Sequence, residues 1–394
     1  MARVQPFRAA RYASLETAGR RLLPDAGRVT SAEERQSLAS SDPLHVAKLY
    51  ESPDPWAALR RWKQEGALAS EEPALYVVEM QPASRLSRRP PVHFLLGAIS
   101  TEEAGLVELE EVRQREATPP LAPVPVIAAD DQRVLRDLLA DVVSDSPPVW
   151  ESEIDSERAR LWRLGGGTLA RRVRAVVDEL PARPLGAVPE SGSFLAAVVP
   201  LSESGLQFLP YHRGLRGLPT FSAERFLTLV SDYARIYELD PPLTSMAGIE
   251  AAQERLATLA SGHHAVLLVL PGGQGRLLRF RQALELSQIP AAPKSPTLRS
   301  LDLALLNSLV LRTVLGIKDP EAPDHPNVFP ETSVEELVRK VLVGTFQVGF
   351  ALNPPPAWEV RAIMEAHQSM PPKTLRLSPL PPAGLLFLDP EARG

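Results

Sequence analysis

Few residue types in this 394-residue chain could do chemistry, and they are widely spaced. Tyr211-His212-Arg213 follows the apolar run 206–210, at a predicted strand end, where polar groups commonly line a cleft. A histidine there could donate to or titrate against a phosphate, and an arginine could clamp one through two parallel N–H donors. The bland counterpart is a structural turn with an exposed arginine. Lys373 follows Pro371-Pro372, whose fixed φ pre-orders it for an anion, against the plainer reading of an exposed loop lysine.

The remaining chemical signals resolve into structural ones. Gly165-Gly166-Gly167-Thr168 precedes a predicted helix and could form an anion nest, but no lysine follows as a phosphate loop requires. Gly272-Gly273-Gln274-Gly275 lies between two strand-like runs and reads as a hairpin turn. The histidines at 45, 93, 212, 263, 264, 325 and 367 make no metal-binding pair at helical spacing. His263 and His264 precede a strand and should point to opposite faces of it, while Glu365 and His367 lie too far round a helix to share a ligand. Cysteine is absent, which excludes disulfides, thiolate catalysis and zinc ribbons. No Gly-x-Ser-x-Gly elbow occurs. The residues themselves therefore name no catalytic group, no metal site and no cofactor.

The elements that must position the candidates alternate irregularly. Residues 3–7 read as an edge strand, and Ser31 with Glu34 has capping-box spacing for a helix start. Pro55 opens a helix over 56–66, followed by strand-like runs at 74–80, 92–99, 105–112 and 124–128. Val134, Leu135, Leu138 and Leu139 mark a helix, and another follows Thr168 to about 180. Runs 194–201 and 205–209 read as an antiparallel pair turning at Ser202-Glu203-Ser204. Beyond a break at 214–219 come helices at 223–233 and 246–260, strands at 265–270 and 276–281, and helices at 301–315 and 333–343. A strand at 345–352 and a helix at 357–367 complete the pattern. The expectation is an α+β protein with antiparallel-rich sheets in two parts, residues 1–215 and 220–394.

Composition narrows the class of function. The formal charge of −5 weighs against a dedicated nucleic-acid binder, and clusters such as Arg171-Arg172-Val173-Arg174 sit beside acids. The longest apolar runs fall far short of the ~18 residues of a membrane helix. The arginines at 3, 8, 11, 20 and 21 superficially suggest a transit peptide, but no apolar signal core follows and Pro6 interrupts early, so a cytoplasmic protein is expected.

Five segments in chain order resemble the domain of unknown function 1015 family: residues 2–12, 209–215 around Pro210-Tyr211-His212-Arg213, 301–316, 350–354 and 370–373. Typical members carry an Asp-Gly-His-His-Arg block similar to the phosphate-handling motif of ParB/sulfiredoxin-type folds, including free-serine kinases. The resemblance thus implies a ParB/sulfiredoxin-like N-terminal half and, for a typical member, small-molecule phosphotransfer. Here the block is missing: residues 186–193 contain no histidine and no arginine, Asn307 replaces a frequent histidine, and Leu380 replaces a usual lysine. That profile implies a degenerate, non-catalytic copy that binds a ligand or serves as a scaffold. The alternatives are an active phosphotransferase using His212, Arg213 and Lys373 with a relocated acid, Glu190 or Asp25, and a docking subunit for an intact paralogue or a second copy of itself. If the family architecture holds, Tyr211, His212, Arg213, Asn353 and Lys373 converge on one cleft whose guest is a small anion.

Overall fold

The computed structural model describes residues 3–24, 32–84, 86–101, 121–186, 188–189, 192–282, 289, 292–322 and 325–391. The expected cap at Ser31, the strand at 105–112 and the acids Asp25 and Glu190 lie outside these residues. By internal contacts the chain forms two compact units, residues 1–207 with 377–394, and residues 208–376. This differs from the expected division after residue 215. The strand His212–Leu215 is hydrogen-bonded on both sides inside the second unit's sheet, so a boundary beyond it would sever that sheet. The class is α+β, with four mostly antiparallel sheets among the described residues.

In the first unit the strands are β1 (Ala9–Tyr12), β2 (Leu68–Ser70), β3 (Leu75–Pro82), β4 (Val92–Ser100), β5 (Val124–Ala128), β6 (Trp150–Ile154), β7 (Glu157–Leu164), β8 (Ala182–Pro184) and β9 (Ser193–Pro200). β3 to β9 form a seven-stranded sheet in the order β6-β7-β3-β4-β9-β5-β8, with only the β5–β9 pair parallel. The helices Val134–Asp145 and Thr168–Glu179 lay Leu135, Leu138, Leu139, Val142, Val173 and Val177 on this sheet. Those positions recur at the three- and four-residue spacing that puts apolar side chains on one helical face. The expected edge strand at 3–7 is instead a pair of isolated bridges, Gln5 to Ala98 and Phe7 to Ala74.

The second unit is built on β10 (Gln207–Pro210), which begins at its margin, β11 (His212–Leu215), β12 (Ala234–Glu238), β13 (Ala265–Leu270), β14 (Gln274–Phe280), β15 (Val328–Glu331), β16 (Val348–Leu352) and β17 (Leu375–Ser378), which runs across its other margin. Six of these form a sheet in the order β12-β14-β13-β16-β11-β15. Helices cover both faces, which explains the unbroken apolar run of β13. Val266, Leu268 and Leu270 face the segments Ala223–Val230 and Leu306–Val314, whereas Leu267 and Val269 face the helices Met246–Ala260 and Val334–Leu342. A strand buried on both sides has no polar face to show, hence no alternation. The expected helix at 301–315 begins as Asp302–Leu305 and continues as a π-helical stretch, Leu306–Val314. The last strand, β18 (Phe387–Leu388), joins β1 and β2 in a small sheet of the first unit, in the order β18-β1-β2.

One expected hairpin is corrected. β9 does not pair with β10: it lies between β4 and β5, and β10 pairs with β17. The turn at Ser202-Glu203-Ser204 instead sends Glu203 inward, where its carboxylate takes the backbone N–H and ring Nδ1 of His93, the latter at 3.0 Å.

Candidate functional site

Strand register and a proline run build the most chemically equipped cleft of the second unit. β13 and β16 are antiparallel with Val266 opposite Leu352, so the residues entering β13, His263 and His264, meet the residues leaving β16. There Asn353 is followed by Pro354-Pro355-Pro356, which cannot donate to a sheet and so end the strand. The helix Ala357–Glu365 starts immediately after and carries Trp358 and Glu359 in its first turn. Asp302, the first residue of its helix, and Thr374 complete the charged and polar lining of a cleft of about 480 Å3.

Three of the cleft's ionisable groups, His264, Asp302 and Glu359, act on one another. His264 Nδ1 and Asp302 Oδ1 lie 2.9 Å apart. That hydrogen bond raises the imidazole pKa above its usual value, outweighing the burial that would lower it. Burial pushes the Asp302 carboxyl up as well, against the pull of His264. Glu359 is 7% exposed, and no side-chain hydrogen bond or ion pair holds its carboxyl among the described residues. Burial, reinforced by the Asp302 charge, raises its pKa to about 7. Such a carboxyl is part acid and part base at neutral pH, the property that marks functional sites when the group also faces a cleft. His263 Nδ1 lies 3.0 Å from the Gln282 amide nitrogen, and Trp358 stands 64% exposed. The Asn353 Nδ2 is buried without a hydrogen-bond partner in the described structure. No group of three potential ligands with metal-holding geometry occurs among the described residues.

The residues singled out from sequence come to the same end of this sheet, but mostly outside the cleft lining. Asn353 lines it; Tyr211, His212, Arg213 and Lys373 do not. Arg213 is 3% exposed and its guanidinium donates to the carbonyls of Tyr211, His212, Pro372 and Lys373 at 3.0–3.3 Å. It ties β11 to the 371–374 loop, which presents Thr374 to the cleft. His212 is buried, and its Nδ1 accepts the Leu352 N–H at 3.2 Å. Burial, with the nearby Arg213 charge, lowers its pKa to about 4, so the ring is neutral at ordinary pH. Lys373 takes a left-handed φ of 57° and its exposed ammonium lies 5.2 Å from the Tyr211 ring centroid. Sequence reading missed His264 as a partner, Asp302 and Glu359. The available signal was the opening of β13 beside the exit of β16, which only the pairing register reveals.

A chain of two α+β units, one carrying an acid–imidazole cleft, is the class these features define. A family model described as "Protein of unknown function (DUF1015)" matches residues 170–304, which supports membership of that family. The match includes His264 and Asp302 and ends before Asn353 and Glu359. No curated protein matches the chain. Among solved structures, a conserved hypothetical protein from Pyrococcus furiosus is 13% identical, covering 66% of this chain and 88% of its own, at a TM-score of 0.27. A free serine kinase in complex with AMP is 14% identical, covering 69% of this chain and 93% of its own, also at 0.27. Scores this low carry no argument about chemistry.

Proposed function

We propose that the chain is a small-ligand-binding protein whose site is the cleft formed by His264, Asp302, Asn353, Trp358 and Glu359. The observation that carries the reading is the convergence, in one cleft, of a paired imidazole and carboxyl with a second carboxyl, unpartnered among the described residues, at the ends of two central strands and a helix start. Proton exchange at Glu359 would set the charge that a ligand meets. Phosphate transfer is the weaker reading, because among the described residues the charged lining consists of two carboxyls and two imidazoles, and neither Arg213 nor Lys373 is part of it. A carboxyl pair repels a polyphosphate unless cations intervene.

A thermal-shift screen of small polar molecules tests the reading. A ligand present at a hundred times its dissociation constant adds ~2.7 kcal/mol of apparent stability. The expected result is that stabilising compounds lose their effect in Trp358→Ala or Glu359→Gln. Stabilisers whose effect survives both substitutions bind elsewhere and would displace this site as the functional one.

A further inference from the structure

Resting on the reading of this cleft as a ligand site, we infer that its ligand is an organic ammonium ion with an apolar or aromatic body, the ammonium against Glu359 and the body against Trp358 and Pro354–Pro356. Charge comes first. Among the described residues of the lining, Asp302 and Glu359 are the acids and His263 and His264 the only bases, with no lysine or arginine. His264 is committed to Asp302 through Nδ1, and that pair is neutral overall when both members are charged. Glu359 is left as the uncompensated group: nine-tenths buried, lining the cleft, with no side-chain partner among the described residues. A buried carboxyl without a donor is unfavourable when ionised, and a ligand that brings its own cation removes that penalty. A carboxylate or phosphate would add to it.

The body of the ligand follows from the other lining groups. Trp358 precedes Glu359 and exposes its indole, so a ligand whose ammonium reaches Glu359 can lay its next atoms on that ring. Three consecutive prolines and Leu301, Leu303 and Leu352 add apolar surface without competing donors. Indole faces also attract cations, which favours ammonium over a neutral polar group at the rim.

Binding of a cation should also expel the Glu359 proton. The charged groups whose fields reach Glu359 are Asp302, from the start of its helix, and His264, from the entry to β13. Asp302 favours the protonated form of Glu359 and His264 the ionised one. An ammonium acts in the same sense as His264. Affinity then tracks the ionised fraction and falls roughly thirty-fold between about pH 8 and about pH 5.5.

Calorimetric titration of the full chain at about pH 8, where most of Glu359 is ionised, with phenethylamine, 2-phenylethanol and 3-phenylpropionate, tests the inference. These three probes share one body and differ in head-group charge. The expected result is that the amine binds at least about tenfold more tightly than the alcohol or the acid. Glu359→Gln, which mimics the protonated carboxyl, should abolish that preference, and Trp358→Ala, at an exposed position, should weaken all three. If the acid or the alcohol binds as tightly as the amine and Trp358→Ala still weakens it, the cleft remains a site and the ammonium inference is wrong. If the amine does not bind, or binds equally to Glu359→Gln, the inference is also overturned. The cleft itself then stands or falls by the unbiased thermal-shift screen.

Discussion

Glu359 concentrates the physical tension of the second unit in one side chain. Its carboxyl is raised from 4.5 to about 7, so the folded chain holds this proton more tightly than the unfolded chain does. Unfolding therefore releases a proton between those values, and stability falls as pH rises through that window. Above about pH 7 the whole cost is present, on the order of 3 kcal/mol. Glu359→Gln should thus raise the urea midpoint of the second unit at about pH 8 by the equivalent of about 2–3 kcal/mol, and change little at about pH 4.5. Equal effects at both pH values would show that the carboxyl is not desolvated as described. This residue was illegible in the sequence, because a glutamate near a helix start is ordinarily an exposed charge favoured by the helix dipole. The opposite error occurred at Arg213 and His212. Their types and spacing suggest anion binding, but Arg213 satisfies backbone carbonyls and His212 satisfies a backbone amide. Only tertiary position separates a buried strap from a ligand clamp.

At the scale of elements, the first unit's large sheet carries a buried charge ladder across three strands. Glu79 on β3 stands opposite His93 on β4 and Arg160 on β7, and Glu203 closes the row from the turn after β9. Burial alone would lower the His93 pKa, but hydrogen bonds to Glu203 and Glu79 prevail and raise it to about 9. The sign is opposite to that of a carboxyl with a lowered pKa. The stabilisation is complete below about pH 6.5 and is lost as pH rises through about 9. His93→Gln should remove this alkaline decline and lower stability at about pH 6 by about 3 kcal/mol, since it leaves buried carboxylates under-compensated. Unfolding followed by intrinsic fluorescence in a Trp358→Phe background reads this directly, because the other four tryptophans, at 56, 62, 150 and 162, all lie in the first unit. A parallel pH profile in His93→Gln and its parent would contradict the assignment. Most helices and the apolar strands were legible from periodicity, as with Met246–Ala260 and β13. The hairpin of β6 and β7 was not. Its glutamates and arginines look like loop, whereas they pair across the strands, Arg158 with Glu153 at 2.8 Å, around an Asp155-Ser156 turn. Non-local pairing hid β10 too: its sequence points to β9, but its partner β17 lies far along the chain.

Over the whole molecule, the mixed α+β class followed from short punctuated elements, but the division of the chain did not. The glycine and proline at 214–219 fall at the end of an interior strand and in the segment after it, whereas the margins at 207 and 377 lie within β10 and β17, whose pairing joins distant parts of the chain. No helix among the described residues is long and apolar enough to cross a membrane. The inferred ammonium site depends on the Glu359 carboxyl, which lines the second unit's cleft without a side-chain partner among the described residues. The most direct measurement is a pH titration, by carbon-13 NMR on carboxyl-labelled glutamate, of the resonance that disappears in Glu359→Gln. The expected midpoint is about 7 in the free protein, moving downward when phenethylamine is added. A midpoint in the ordinary carboxylate range, unmoved by any of the three phenyl probes, would contradict it.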